Sequence, residues 1–101
     1  MAYTYVWEYL VAPDKVGLFQ RGYGPSGEWA ELFRRAPGYL RTELHRDLSN
    51  PLRFLTVDYW QSRGDWEAFR ARFSSEFEEL DAKGEKLTTH ETEIGRFELA
   101  E

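Results

Sequence analysis

The chain has 101 residues, 42% of them hydrophobic and 31% charged, with a net charge of −5 and no cysteine. That composition describes one folded domain, 1–101, and excludes a disulfide scaffold, a thiolate metal site and a cysteine nucleophile. The acidic balance argues against a nucleic-acid partner, which needs a basic face.

Tyr3 to Val11 is aromatic and β-branched, with Tyr3, Tyr5, Trp7, Tyr9 and Val11 on one face, so the spacing predicts a strand. The N-terminal stretch has no basic region and carries Glu8. No apolar run approaches the roughly 20 residues of a membrane helix, so a cytoplasmic protein with no membrane partner is expected. Pro13 stops the strand, Asp14 is a candidate helix N-cap, and Val16, Phe19 and Tyr23 start a helical stripe. Gly22, Gly24, Pro25 and Gly27 do not fit inside one helix, which predicts a break or looped-out insertion over Gly22–Gly27. The helix resumes near Ser26 or Gly27 with Trp29, Leu32, Phe33 and Ala36, and Pro37-Gly38 ends it.

Tyr39–Arg46 is a second strand, Asp47 to Pro51 is turn chemistry, and Leu52–Trp60 is a third strand, giving a hairpin. Ser62 with Asp65 resembles a capping box. Trp66, Phe69, Phe73, Phe77 and Leu80 follow at helical spacing, and Lys83-Gly84 signals the end of that helix. Thr88–Leu99 is a polar final strand, as suits an edge. The order β-α-β-β-α-β predicts an α+β ferredoxin-like sandwich, a four-stranded antiparallel sheet with both helices on one face. Val6 and Leu10 oppose the aromatics of strand one, and Leu55, Val57 and Tyr59 oppose Phe54 and Trp60. Two helices cannot cover both faces. A homodimer packed sheet to sheet is the expected solution.

Several side chains are candidates for chemistry. Trp60 closes the third strand beside a helix start, where it fits either a ligand-stacking role or the sheet–helix core. Tyr5, Trp7 and Tyr9 suit an aromatic-walled cavity and equally a subunit interface. Asp58 shares the face of Trp60. Enclosed there it needs a partner, with Arg41 and Arg70 as candidates, and it reads as a proton acceptor, a ligand anchor or half of an ion pair. His45 and His90 lie on strands, where a lone histidine can act as a base. No metal-ligand spacing is present and no metal is expected. GYGPSGEW is not a phosphate loop.

The aromatic first strand ending near Pro13, then APGYLRTELHRD, the Asn50-Pro51 turn and RFLTVDYW before a capping Ser together resemble the antibiotic biosynthesis monooxygenase family of the dimeric α+β barrel superfamily. The resemblance spans nearly the whole chain. The Gly-rich insertion departs from the family's simplest members. It implies a dimeric barrel with a pocket between sheet and helices, around Trp7, Trp60, Phe69 and Phe73. It further implies oxidation of a small aromatic or polyphenolic substrate by O₂ without a cofactor. There Trp60, Asp58 and His45 would be catalytic, and Tyr5, Trp7, Tyr9, Phe69, Arg70 and Phe73 would bind the ring. Members that degrade haem use an Asn, a Trp and a His. Here only Trp60 is kept, and Arg70 holds the place of the His, so the axial ligand is missing. A non-catalytic binder of small hydrophobic ligands and a purely structural dimer fit the same residues.

Overall fold

The computed structural model describes residues 2–100. Strand β1 (Tyr3–Val11) leads through a 3-10 turn (Pro13–Lys15) into α1 (Val16–Tyr23) and α2 (Glu28–Arg34). Strands β2 (Tyr39–Arg46) and β3 (Arg53–Trp60) form the hairpin, and α3 (Arg63–Arg72) and α4 (Ser74–Glu85) precede β4 (Thr88–Glu98). The sheet order is β2-β3-β1-β4, with every neighbouring pair antiparallel. This is the α+β ferredoxin-like arrangement that the order of elements predicts, with each of the two helices divided in two.

Four local expectations are corrected. Asp14 is not a helix cap. Pro13 opens a 3-10 turn that contains it, and α1 starts at Val16 without a side-chain cap. The second helix is interrupted at Phe73, where φ is −110° and ψ 30°. The Ser74-Ser75 pair follows, a common site of helix kinks. Gly84 lies inside α4, one residue before its end, and the Tyr23 hydroxyl packs where its Cβ would stand. Strand β4 ends at Glu98, one residue early. The Ser62 cap is present: its hydroxyl oxygen accepts from the Asp65 N–H at 3.1 Å and the hydroxyl donates to the Asp65 carboxylate at 3.0 Å.

Alternation along the strands assigns the faces. Tyr3, Tyr5, Tyr9 and Val11 of β1 and Phe54, Thr56, Asp58 and Trp60 of β3 are buried under the helices. Val6, Leu10, Leu55, Val57 and Tyr59 are half-buried on the other face. Strand β2 carries a bulge. Tyr39 pairs with Trp60, but Arg41 pairs with Tyr59, so Leu40 is an extra residue. Beyond it the face of every β2 side chain is inverted: Thr42 stands opposite Asp58, and His45 opposite Leu55. Strand β4 has comparable irregularities against β1.

The layer between sheet and helices holds two clusters of buried side chains. One surrounds Trp60, Trp66 and Phe69, the other Phe19, Phe54 and Val11. Trp7 and Trp29 pack against both. The space between the clusters is not filled by protein.

Candidate functional site

A cavity of about 440 Å³ occupies that space. That is ample for a bicyclic or tricyclic aromatic molecule, since ligand pockets run from roughly 300 to 1,000 Å³. Its floor is the sheet, with Tyr5, Trp7 and Tyr9 from β1, Thr56 and Asp58 from β3, and Thr42 from β2. Its roof is helical, with Tyr23 and Trp29 flanking the Gly-rich break and Trp66, Arg70 and Phe77 from α3 and α4. The rings form a continuous network: Tyr5 lies 4.8 Å from Trp66, and Trp29 4.9 Å edge-on to Phe77. Such walls favour a flat, polarisable occupant.

The break that positions the roof is tightly built. The Gly24 N–H donates to the Gln20 carbonyl and the Gly27 N–H to the Gly24 carbonyl, both at 3.0 Å. A Cβ on Gly27 would collide with the carbonyl oxygens of Arg21 and Gly22. The break therefore sets Tyr23, the last residue of α1, and Trp29, in the first turn of α2, on one side of the cavity.

Asp58 is the polar centre. It is 8% exposed, and its Oδ1 accepts a hydrogen bond from the Thr42 hydroxyl at 2.6 Å. The Thr42 oxygen is in turn 2.7 Å from the Tyr39 hydroxyl. Burial pushes the Asp58 carboxyl from its ordinary 3.8 up to about 7, and the Thr42 bond opposes that rise. Burial also raises Tyr5 and Tyr39, and carries Tyr9 well above the phenolic range. Glu91, at the β4 edge of the cavity, is raised by burial and then by the charge of Asp81. Arg96 also borders the cavity and is paired with Glu93 at 2.6 Å. Arg70 lies flat on Phe77, 3.8 Å from the ring centroid, with Nη1 buried and unpartnered among the described residues.

Of the residues singled out in the sequence, Asp58, Tyr5, Trp7, Tyr9 and Arg70 converge on this cavity. Trp60 does not line it. It is fully buried behind the wall, edge-on to Phe33 and Trp66, with Nε1 unpartnered among the described residues. Phe69 and Phe73 are buried in the same cluster and support the wall from behind. His45 is not brought to the site. The β2 bulge turns it to the outer face, where its side chain is 57% exposed and bonds Glu43 at 3.1 Å. His90 is exposed on β4. The expected arginine partners of Asp58 are replaced by Thr42. Arg41 is turned outward over the Tyr59 ring by the same bulge, and Arg70 engages Phe77. Thr42, Tyr39, Tyr23 and Trp29 were not singled out as site residues. Thr42 stands between charged neighbours, and only the extra residue at Leu40 reveals which way it faces. Among the described residues no group of His, Asp and Glu side chains is placed to hold a metal ion. No helix there is long and apolar enough to cross a membrane.

Comparison with known proteins gives a consistent picture. The family model for antibiotic biosynthesis monooxygenase matches residues 6–83. No curated protein matches the chain. Among solved structures, SnoaB, a cofactor-independent oxygenase from Streptomyces nogalater, is similar at 20% identity and a TM-score of 0.76, over 99% of this chain and 94% of that one. A conserved protein from Methanosarcina mazei Go1 is similar at 20% identity and a TM-score of 0.73, over 96% and 91%. At these identities the likeness is one of fold.

Proposed function

Since the chain belongs to the antibiotic biosynthesis monooxygenase family, we propose that it is a monooxygenase that oxidises a small polycyclic phenol or its keto tautomer with O₂, without a bound cofactor. The observation that carries this reading is a buried carboxyl, held near neutrality, at the centre of an aromatic-walled cavity. A general base works best when its pKa lies near the working pH. The cofactor-independent oxygenase of Streptomyces nogalater, alike in fold, supports the same reading.

Asp58 takes the proton from an acidic C–H or O–H of the bound substrate. The rings of Trp7, Trp29 and Trp66 hold the resulting anion flat and exclude water. The anion gives one electron to O₂, and the radical pair joins as a carbon-bound peroxide. The peroxide takes up a proton and loses water, leaving a carbonyl. One oxygen atom ends in the product and one in water. The ring CH₂ supplies both electrons and both hydrogens of that water, so no external reductant is needed. The protein contributes position, a proton acceptor and a dry site.

The working unit in this reading is a homodimer. The outer sheet face carries the half-buried side chains of Val6, Leu10, Leu55 and Val57 around the Glu8–Arg53 ion pair, and no helix covers them. A second copy, sheet to sheet, would bury them by two-fold symmetry.

The test is oxygen consumption with anthrone or a dihydroxynaphthalene as substrate. We expect uptake by the wild-type protein and a loss on the order of 100-fold or more in Asp58→Asn, the usual size of a general-base contribution. Uptake unchanged in that variant would remove Asp58 from the chemistry. Stoichiometric binding without uptake would make the protein a carrier.

A further inference from the structure

Two hydroxyl groups that the proposed reaction does not use are arranged around its base. Thr42 and Tyr39 both come from β2, an edge strand, and are inward-facing on either side of the Leu40 bulge. The Thr42 side chain has a single hydroxyl proton, and that proton is directed to Asp58 Oδ1 at 2.6 Å. Its oxygen can then act toward Tyr39 only as an acceptor, so the Tyr39 hydroxyl donates across the 2.7 Å contact. The two bonds run one way, from Tyr39 through Thr42 to the carboxylate. Each donor polarises the next, and a bond to a charged acceptor inside protein is stronger than a neutral one. Asp58 Oδ2 takes no hydrogen bond from the described residues and belongs to a side chain that lines the cavity.

We propose that Thr42 and Tyr39 are positioning residues: their hydroxyls form a directed chain that grips Asp58 by Oδ1, fixes its carboxylate plane, and presents Oδ2 to the ligand as the proton acceptor. The proposal rests on the reading of Asp58 as the base and extends it to two residues that act through its carboxylate. The chain also sets how far the carboxyl rises. Burial disfavours the ionised form, and the Thr42 hydroxyl restores part of its stability; Tyr39 acts through Thr42. The other ionisable groups near the carboxyl are Tyr5, its cross-strand neighbour, and Tyr9 on β1. Across the cavity stand Glu67 and Arg70 of α3, Asp81 of α4, and Glu91 and Arg96 of β4. None of these donates a hydrogen bond to Asp58, so removing a β2 hydroxyl has a separable effect.

The experiment follows the Asp58 carboxyl by ¹³C NMR titration of aspartate-labelled, ligand-free protein, in wild type, Thr42→Val, Thr42→Ser and Tyr39→Phe. Thr42→Val keeps the shape and removes the direct donor. We expect its Asp58 titration to move up by about one pH unit or more, the size of a hydrogen bond to a charged group. Tyr39→Phe, one bond further away, should move it up by less, and Thr42→Ser should return it to the wild-type value. A titration unmoved or lowered in Thr42→Val, or unmoved in Tyr39→Phe, overturns the chain. If Thr42→Val does not fold, Tyr39→Phe and Thr42→Ser decide the matter, since each retains the packing. No turnover is read, so protein that never consumes oxygen still answers the question. Conversely, oxygen uptake lost in Asp58→Asn beside an unmoved Thr42→Val titration keeps the oxygenase and discards the chain.

Discussion

Asp58 works against folding at neutral pH. Its folded pKa of about 7 lies above the ordinary 3.8, so between those values the folded chain holds a proton that the unfolded chain has released. Stability then falls as pH rises through this window and levels off above it. Asp58→Asn abolishes the titration and can still accept from Thr42. The variant should match wild type near about pH 4 and exceed it by on the order of 3 kcal/mol near about pH 8. Thermal unfolding of both proteins at the two pH values measures this, and a gap that does not change with pH would contradict the buried, near-neutral carboxyl. At this scale the sequence identifies the acid but not its partner. The register of the hairpin, and so the face of His45, is not fixed by the sequence. An unpaired residue in a strand leaves no mark in the composition, and the one at Leu40 turns Arg41 and His45 outward and sets Thr42 opposite Asp58.

Periodicity carries the elements well, because each strand and helix buries one face and repeats accordingly. The order of elements, the hairpin and the Ser62 cap are all legible for that reason. Interruptions depend on packing between elements and are less so: Phe73 splits the second helix, and Gly84 is helical with Tyr23 in its side-chain space. The glycines signal a break, but not its start: Gly22 and Tyr23 are still part of α1, and the role of the break in flanking the cavity with Tyr23 and Trp29 requires the fold. Two substitutions separate flexible glycine from required glycine there. Gly22 lies in α1 with open space around it, so Gly22→Ala should stabilise by about 0.5–1 kcal/mol through helix propensity. Gly27 meets backbone oxygens, and Gly27→Ala should cost about 1–3 kcal/mol. Urea midpoints of the two variants check both signs. Equal midpoints would mean that the break relaxes freely around an added methyl.

Across the whole molecule, the helices cover one sheet face and leave the other uncovered. Val57 lies on that face and pairs with Val6. Val57→Lys would bury an ammonium group in the proposed sheet-to-sheet contact, beside a cross-strand Glu43 already engaged by Arg41, His45 and Tyr59. Sedimentation should show a wild-type dimer and a monomeric Val57→Lys with an unchanged far-UV spectrum. A monomeric wild type would remove the dimer. The sheet–helix layer has its own open space. Trp7 and Trp29 pack against both clusters of buried side chains, and a cavity of about 440 Å³ lies between them. In the proposed function that cavity takes up a diffusible molecule. An occupant that joins the clusters binds the native state alone, and its chemical potential becomes part of the stability of the protein, by about 4 kcal/mol at a thousandfold excess over its dissociation constant. On the proposed function, substrate supply and protein lifetime are linked quantities: a cell that stopped making the ligand would also lower the persistence of the protein.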